Sequence, residues 1–349
     1  MPTLPRQDLD HVLEHVGEHW TDVAGSRVFI TGGTGFIGKW LLETLLWANG
    51  ERNLRVRVSL LTRDPARFQR EAPHLATHPA VALCQGDVRT FNFPEGEFRY
   101  VIHAATERSF APTTGHPAGT FDSDIEGTRR VLEFARQHGT RRFLFTSSGA
   151  VYGKQPCELS NVPEDYAGAP STTDPGTAYG QAKRVSEFLC TMYARQHGFS
   201  ALIARLFAFV GPHLPLNENF AVGNFMGDVL AGRPIHIKGD GTPYRSYLYA
   251  ADMAIWLWII LTTGTSARPY NVGSAEPLSI AELARLVANV ANPATKIEIA
   301  ENPQPGAAPA RYVPNVNRAA SELGLVERIR VEESIRRTME WHGGRRSFT

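Results

Sequence analysis

From Arg27 onward the chain repeats one alternation: a short run of aliphatic and β-branched residues, then a longer stretch with apolar positions three and four apart. The short runs Val28–Thr31, Val56–Leu61, Val81–Cys84, Tyr100–His103, Arg142–Thr146 and Ala201–Phe207 predict strands. Between them, Trp40–Trp47, Ile125–Gln137 and Tyr179–His197 carry the helical period. Strands separated by helices pair in parallel, because the crossover returns each strand to the same end of the sheet. The fold class expected is therefore α/β, a doubly wound parallel sheet with helices on both faces.

The pattern also divides the chain. Leu9, Val12, Leu13 and Val16 lie at helical spacing ahead of the first strand, so residues 1–26 read as an N-terminal helical extension. Residues 27–210 hold the regular alternation. After Gly211 the rhythm breaks, and 211–349 reads as a smaller α/β substrate-binding region, with a segment around 247–273 returning to the first domain. In that region Ser279–Val290 and Val331–Trp341 predict helices, the former with Ser279 as N-cap and Glu282 three residues on. Pro303, Pro305, Pro309 and Pro314 make that stretch a loop.

Composition narrows the function classes. Lysine and arginine total 36 against 35 aspartates and glutamates, a net charge of +1, which disfavours nucleic acid as a partner but leaves room for one phosphorylated ligand. The longest strongly apolar run, Met253–Leu261, is far short of the ~20 residues that cross a bilayer, so no membrane association is expected. No basic start followed by an apolar run marks a secretory signal, and Cys84, Cys157 and Cys190 form no C-x-x-C. A cytoplasmic protein with reduced thiols is the expectation. His11 to His15 and His15 to His19 each match H-x-x-E-H. With no third ligand evident and Gly17 weakening the helix, they read as a solvated face, and no metal is expected.

The first strand runs into Thr31-Gly32-Gly33-Thr34-Gly35-Phe36-Ile37-Gly38-Lys39. Glycines at 32, 35 and 38 permit a tight turn, close approach to a pyrophosphate, and close helix–sheet packing. The N–H groups at the start of the following helix, around Phe36 and Ile37, favour phosphate. Such a loop between strand and helix predicts a Rossmann-type NAD(P)-binding domain. The second strand ends Thr62-Arg63-Asp64. An acid there suits the ribose hydroxyl of NAD, whereas Arg63 suits a 2′-phosphate, so NADP is favoured over NAD, with Asp64 still within reach.

Tyr179-Gly180-Gln181-Ala182-Lys183 places a phenol and an ammonium one helical turn apart. A cation beside a phenol stabilises the phenolate, so Lys183 is expected to lower the pKa of Tyr179. The phenol then exchanges a proton with a carbinol oxygen while a nicotinamide exchanges the hydride. Upstream, Ser147-Ser148-Gly149-Ala150-Val151-Tyr152-Gly153 ends the fifth strand and offers a hydroxyl to the same oxygen.

With these motifs the sequence resembles the extended short-chain dehydrogenase/reductase family, the nucleotide-sugar epimerases, dehydratases and reductases. The resemblance runs from about Arg27 into the C-terminal region. It also rests on Gly86-Asp87-Val88, Val101-Ile102-His103-Ala104-Ala105, Arg205-x-Phe207 with Gly211-Pro212, and Gly239-Asp240-Gly241-x-x-x-Arg245. It implies that Gly32, Gly35 and Gly38 hold the pyrophosphate, that Asp87 and Val88 flank the adenine, and that Ala104 and Ala105 let the cofactor lie flat. It implies Ser148, Tyr179 and Lys183 as the catalytic set, with Lys183 also on the nicotinamide ribose and Ser147 structural. Arg245 matches the arginine that grips the nucleotide-sugar diphosphate, Arg311 is a candidate second contact, and His213 and Asn224 fall in the segment that lines the sugar pocket. The family's homodimer, a four-helix bundle, would use 125–137 and 179–197.

Three positions depart from the family pattern. Gly149-Ala150 stands where the dehydratases carry Asp-Glu, which disfavours dehydration by that route. Ala208 replaces a frequent Asn, and Asp124 stands where an Asn often supports the site. The expectation is hydride transfer at C4 of a nucleoside-diphosphate hexose, by a 4-ketoreductase or 4-epimerase. The alternatives are a dehydratase, a uronate decarboxylase, or a non-catalytic dinucleotide-binding regulator on the same fold.

Overall fold

The computed structural model describes residues 3–106, 117–218 and 220–343. Its strands are β1 Arg27–Thr31, β2 Arg57–Thr62, β3 Val81–Gln85, β4 Tyr100–His103, β5 Arg142–Ser148, β6 Ser200–Leu206, β7 Ala208–Val210, β8 Ile235–Ile237, β9 Tyr244–Arg245, β10 Tyr247–Tyr249, β11 Pro269–Val272, β12 Leu278–Ser279, β13 Ile297–Ile299 and β14 Arg311–Tyr312. Its helices are α1 Arg6–Val16, α2 Phe36–Glu51, α3 Pro65–Glu71, α4 Pro73–Ala76, α5 Pro117–Gln137, α6 Ala178–His197, α7 Ala221–Leu230, α8 Ala250–Thr263, α9 Ile280–Ala291, α10 Asn317–Leu323 and α11 Val331–Gly343.

Among the described residues one sheet runs β11-β6-β5-β4-β1-β2-β3. The pairs from β1 to β6 are parallel, as the alternation predicts. The order reverses beside β1: chain direction carries β2 and β3 to one side, β4 and β5 to the other. At such a switch point the carboxyl ends of the strands leave a crevice for a ligand. β1 and β4 are almost wholly buried, which explains why they are continuous apolar runs and not alternating ones. On one face Phe29, Phe98, Phe134 and Phe91 pack together, with the rings of Phe29 and Phe134 4.4 Å apart.

The chain divides into two compact units. The first comprises Met1–Gly153, Pro170–Leu206 and Ala254–Tyr270; the second comprises Lys154–Ala169, Phe207–Met253 and Asn271–Thr349. Within the first, the N-terminal helix is part of the core. α1 lies on α2, Trp47 donates to Asp10 at 3.0 Å, and the ring of Trp20 sits 5.1 Å from that of Trp258. In the second, α9 carries the expected capping box: Ser279 accepts from the Glu282 N–H at 3.2 Å, and Glu282 accepts from the Ser279 N–H at 2.8 Å.

The stretch expected as loop up to Pro314 contains β14, which pairs in parallel with β9 and completes the sheet β12-β9-β14. Its neighbour on the other side, β12, is antiparallel. Strands two residues long have no detectable period, so their pairing is tertiary information.

Candidate active site

The glycine loop closes the carboxyl end of β1. Gly32 has φ +72°, the left-handed region, and a Cβ there would lie 2.4 Å from the Ala104 carbonyl. A Cβ on Gly38 would meet the Gly32 carbonyl oxygen at 2.3 Å, so glycine is needed for α2 to start against the loop. Gly35 is the N-cap of α2 and offers no side-chain acceptor to the first N–H groups, those around Phe36 and Ile37. Backbone donors at a glycine-capped helix start, facing the switch point, fit a dinucleotide pyrophosphate. Ala104 and Ala105 are tied to the same corner: the Ala104 N–H donates to the Thr31 carbonyl at 3.1 Å, and the Ala105 N–H to the Thr31 hydroxyl at 3.3 Å.

At the ribose end, Asp64 is the N-cap of α3 and accepts the Arg67 N–H at 2.9 Å. Arg63 and Asp64 are both exposed, next to buried Thr62. Asp87 is held by Arg89 at 2.8 Å, and the hydrogen bond to Arg89 keeps its carboxyl below the ordinary range. Val88 packs against α5, where a Cβ on Gly127 would touch its methyl at 2.8 Å.

The catalytic candidates converge on the end of β5. Ser148 is buried, accepts the Ala150 N–H at 3.2 Å, and shares a hydrogen bond with the Tyr179 hydroxyl. Lys183, one turn along α6, donates to the Thr146 carbonyl at 3.3 Å and stands 5.6 Å from the centroid of the Tyr179 ring. Its ammonium also lies 3.8 Å from the carboxylate of Asp124 on α5. Asp124 in turn accepts from the Thr106 hydroxyl at 2.9 and 3.1 Å.

The electrostatics differ from the sequence expectation. Burial pushes the Tyr179 phenol above its ordinary value, Ser148 opposes this, and Asp124 adds to it. Burial pushes the Lys183 ammonium down, with Asp124 opposing. The Lys183 ammonium is directed to a carbonyl and a carboxylate.

A second set of residues, not singled out beforehand as a set, anchors this arrangement. Glu187 follows Lys183 by four residues and so shares its face of α6. It accepts from Ser147 at 2.5 Å and from Arg205 at 2.9 and 2.7 Å, and Arg205 also donates to the Tyr152 hydroxyl at 2.9 Å. α6 is thereby pinned to β5 and β6, which sets where Tyr179 and Lys183 stand. The i+4 spacing from Lys183 to Glu187 was the available signal.

Behind the site, His103 bridges elements. Its Nδ1 contacts the Thr31 hydroxyl at 2.7 Å and its Nε2 the Thr128 hydroxyl at 3.1 Å. Burial, then Lys183, push the imidazole down to about 3, so it is neutral at physiological pH.

Of the substrate candidates, Ser148 belongs to the first unit, and His213, Asn224, Arg245 and Arg311 belong to the second. The parallel register pairs Tyr312 with Arg245 and Arg311 with Tyr244. Successive side chains on a strand point to opposite faces. Accordingly Arg245 lies 5.7 Å from the Tyr312 ring, whereas Arg311 lies 4.6 Å over Tyr244 and donates to the Ser160 carbonyl at 3.2 Å. Phe207 extends the Arg245 face, its ring 4.7 Å from that of Tyr312. Arg245 and Arg311 therefore start from opposite faces of β9–β14. His213 is buried with φ +70° and packs edge-on against Trp341 at 4.7 Å. Asn224 is half-buried on α7. Among the described residues no group of three His, Cys, Asp or Glu is placed to hold a metal, and no helix is long and apolar enough to cross a membrane.

Residues 28–273 match the sequence profile of the NAD dependent epimerase/dehydratase family. UDP-glucuronic acid decarboxylase 3 of Arabidopsis thaliana is 30% identical over 309 residues, covering 88% of this chain and 86% of that protein. UDP-glucuronic acid decarboxylase 1 of Xenopus tropicalis is 28% identical over 315 residues, with 90% and 72% covered. Among solved structures, the UDP-glucose 4-epimerase of Thermotoga maritima with UDP-glucose superposes with a TM-score of 0.76 at 22% identity, covering 90% of this chain and 98% of that one. The UDP-glucose 4-epimerase of Thermus thermophilus in complex with NAD gives 0.74 at 26% identity, with 91% and 99% covered.

Proposed function

Because this chain belongs to the NAD dependent epimerase/dehydratase family, we propose that it is an NAD(P)-dependent enzyme acting by hydride transfer at C4 of a nucleoside-diphosphate hexose, as a 4-ketoreductase or 4-epimerase. The observation that carries this is the hydrogen-bonded pair Ser148–Tyr179 with Lys183 one turn away, in the same unit as the glycine loop. A bound nicotinamide supplies or accepts the hydride. The chain's own part is the proton: Tyr179 gives it to, or takes it from, the C4 oxygen, Ser148 orients that oxygen, and Lys183 stabilises the phenolate. Gly32, Gly35 and Gly38, with the N–H groups at Phe36 and Ile37, would hold the pyrophosphate. Arg245 would grip the substrate diphosphate, with Tyr312 on the same face.

The test is turnover by the purified protein. NDP-hexoses are followed for epimerisation, and an NDP-4-keto-hexose for consumption of NADH or NADPH. Turnover that survives Tyr179→Phe in a folded protein overturns the assignment.

A second reading, decarboxylation of a UDP-uronate, is favoured by the Arabidopsis and Xenopus relatives. It uses the same C4 oxidation to form a β-keto acid, and release of carbon dioxide from UDP-glucuronate distinguishes it. For the cofactor, the Thermus thermophilus relative was solved with NAD, whereas the ribose end here presents Arg63 beside a capped Asp64. We propose that NADP binds at least as well as NAD, and that Arg63→Ala lowers NADP affinity selectively. For assembly we propose a homodimer through α5 and α6, supported by the exposed apolar side chains Val185 and Phe188 on α6.

A further inference from the structure

A buried carboxylate beside the catalytic lysine is the departure that the proposed chemistry leaves unused. Asp124 and Lys183 have side chains only 3% and 2% exposed, with charged atoms 3.8 Å apart. The single hydroxyl proton of Thr106 is shared between the two carboxylate oxygens, at 2.9 and 3.1 Å. An asparagine at this place would leave the ammonium facing a neutral amide. With a carboxylate there, the cation already has a counter-ion.

Among the described residues, the other groups around the pair are neutral or already paired. Ser148 and the Thr146 carbonyl on β5 are neutral. His103 on β4 is held neutral by burial. On α6, Glu187 is paired with Arg205 at 2.7 Å, and burial keeps the Cys190 thiol protonated.

We propose that Asp124 is a positioning residue: by engaging the Lys183 ammonium it keeps Tyr179 in its hydroxyl form, so that the site is set to reduce a ketone and not to oxidise an alcohol. Reduction adds a hydride, from a reduced nicotinamide dinucleotide, to the carbonyl carbon. The carbonyl oxygen takes the Tyr179 proton, and the phenolate left behind is reprotonated from solvent. Oxidation needs the phenolate at the outset. This inference rests on the reading of Tyr179 as the proton carrier.

The test is a near-ultraviolet titration of tyrosinate in the free protein, with the same chain carrying Tyr179→Phe subtracted to isolate residue 179. In wild type, residue 179 is expected to stay un-ionised through the ordinary tyrosine range, about pH 10. In Asp124→Asn it is expected to ionise at least about one pH unit lower than in wild type, and Asp124→Glu to restore the wild-type behaviour. In the loaded enzyme, the basic limb of ketone reduction should move down in Asp124→Asn by the same interval. Equal titration of wild type and Asp124→Asn overturns the proposal. Should Asp124→Asn not fold, ionisation of the wild-type residue below the ordinary range overturns it alone. Because the titration needs no substrate, failure of turnover on every NDP-sugar would sink the functional reading and leave this one to be judged separately.

Discussion

At the scale of single residues, the weight falls on Tyr179 and on the two arginines. If the phenol carries the proton, Tyr179→Phe should cut turnover by about a hundredfold to ten-thousandfold with little change in cofactor affinity. The measurement is the turnover number beside a cofactor titration. A loss confined to KM would assign the hydroxyl to binding. For the diphosphate, the two faces of β9–β14 make a sharper prediction. Arg245→Ala should weaken binding of the free nucleoside diphosphate by about tenfold or more, because a charge-assisted hydrogen bond is lost, whereas Arg311→Ala should leave it within about twofold. Calorimetry with UDP and dTDP decides, and equal losses would show both arginines on one ligand. The sequence made Gly32, Gly38, Ser148, Tyr179 and Lys183 legible, since each sits in a local motif whose spacing has a mechanical cause. It did not make the Asp124–Lys183 pair or the split of the arginines legible. The first joins α5 to α6 across long chain separation, and the second depends on a register in which a one-residue slip exchanges the faces.

At the scale of elements, β1 and β4 were readable because they are buried on both faces of the sheet and form unbroken apolar runs. α8 was visible only as an apolar stretch, because a helix buried on every side shows no amphipathic period. The Glu187–Arg205 clamp is where element packing and site geometry meet. Removing one partner strands the other charge in a site where both side chains are little exposed, 11% and 13%. Glu187→Ala should therefore cost about 3 kcal/mol in urea unfolding and also lower turnover. The double variant Glu187→Leu, Arg205→Met should recover part of the stability but not the turnover. His103 links β1, β4 and α5, and its folded pKa, about 3, is depressed from the free value of 6.5. The unfolded chain binds the proton first, so the stability His103 contributes is complete above pH 6.5 and is lost progressively as pH falls toward about 3. In His103→Gln the melting temperature should be lower near neutrality but should fall less steeply on acidification. An unchanged slope would mean that other groups control acid unfolding.

At the scale of the whole molecule, the N-terminal segment is structural: α1 covers α2, and the Tyr100 hydroxyl donates to the Asp22 carbonyl at 2.7 Å, so the extension completes the first unit. What that unit leaves open is the outer face of α6. Phe188 is 64% exposed and Val185, three residues before it, 37%. Single exposed apolar residues are ordinary, but a phenylalanine with an apolar neighbour at helical spacing is the pattern of a face that a partner covers. The proposed homodimer places a second copy there about a two-fold axis, and each α6 would then meet its own counterpart. Light scattering at micromolar concentration should give twice the chain mass for wild type and the single mass for Phe188→Glu. Because Phe188 points away from its own unit, circular dichroism of the two proteins should coincide. Turnover should persist in the monomer to the extent that α6 keeps its pins to β5 and β6 through Glu187 and to the turn after β5 through Arg184, which donates to the Val151 carbonyl at 2.9 Å. A wild-type mass of one chain at that concentration would remove the dimer and leave the apolar face of α6 without this explanation.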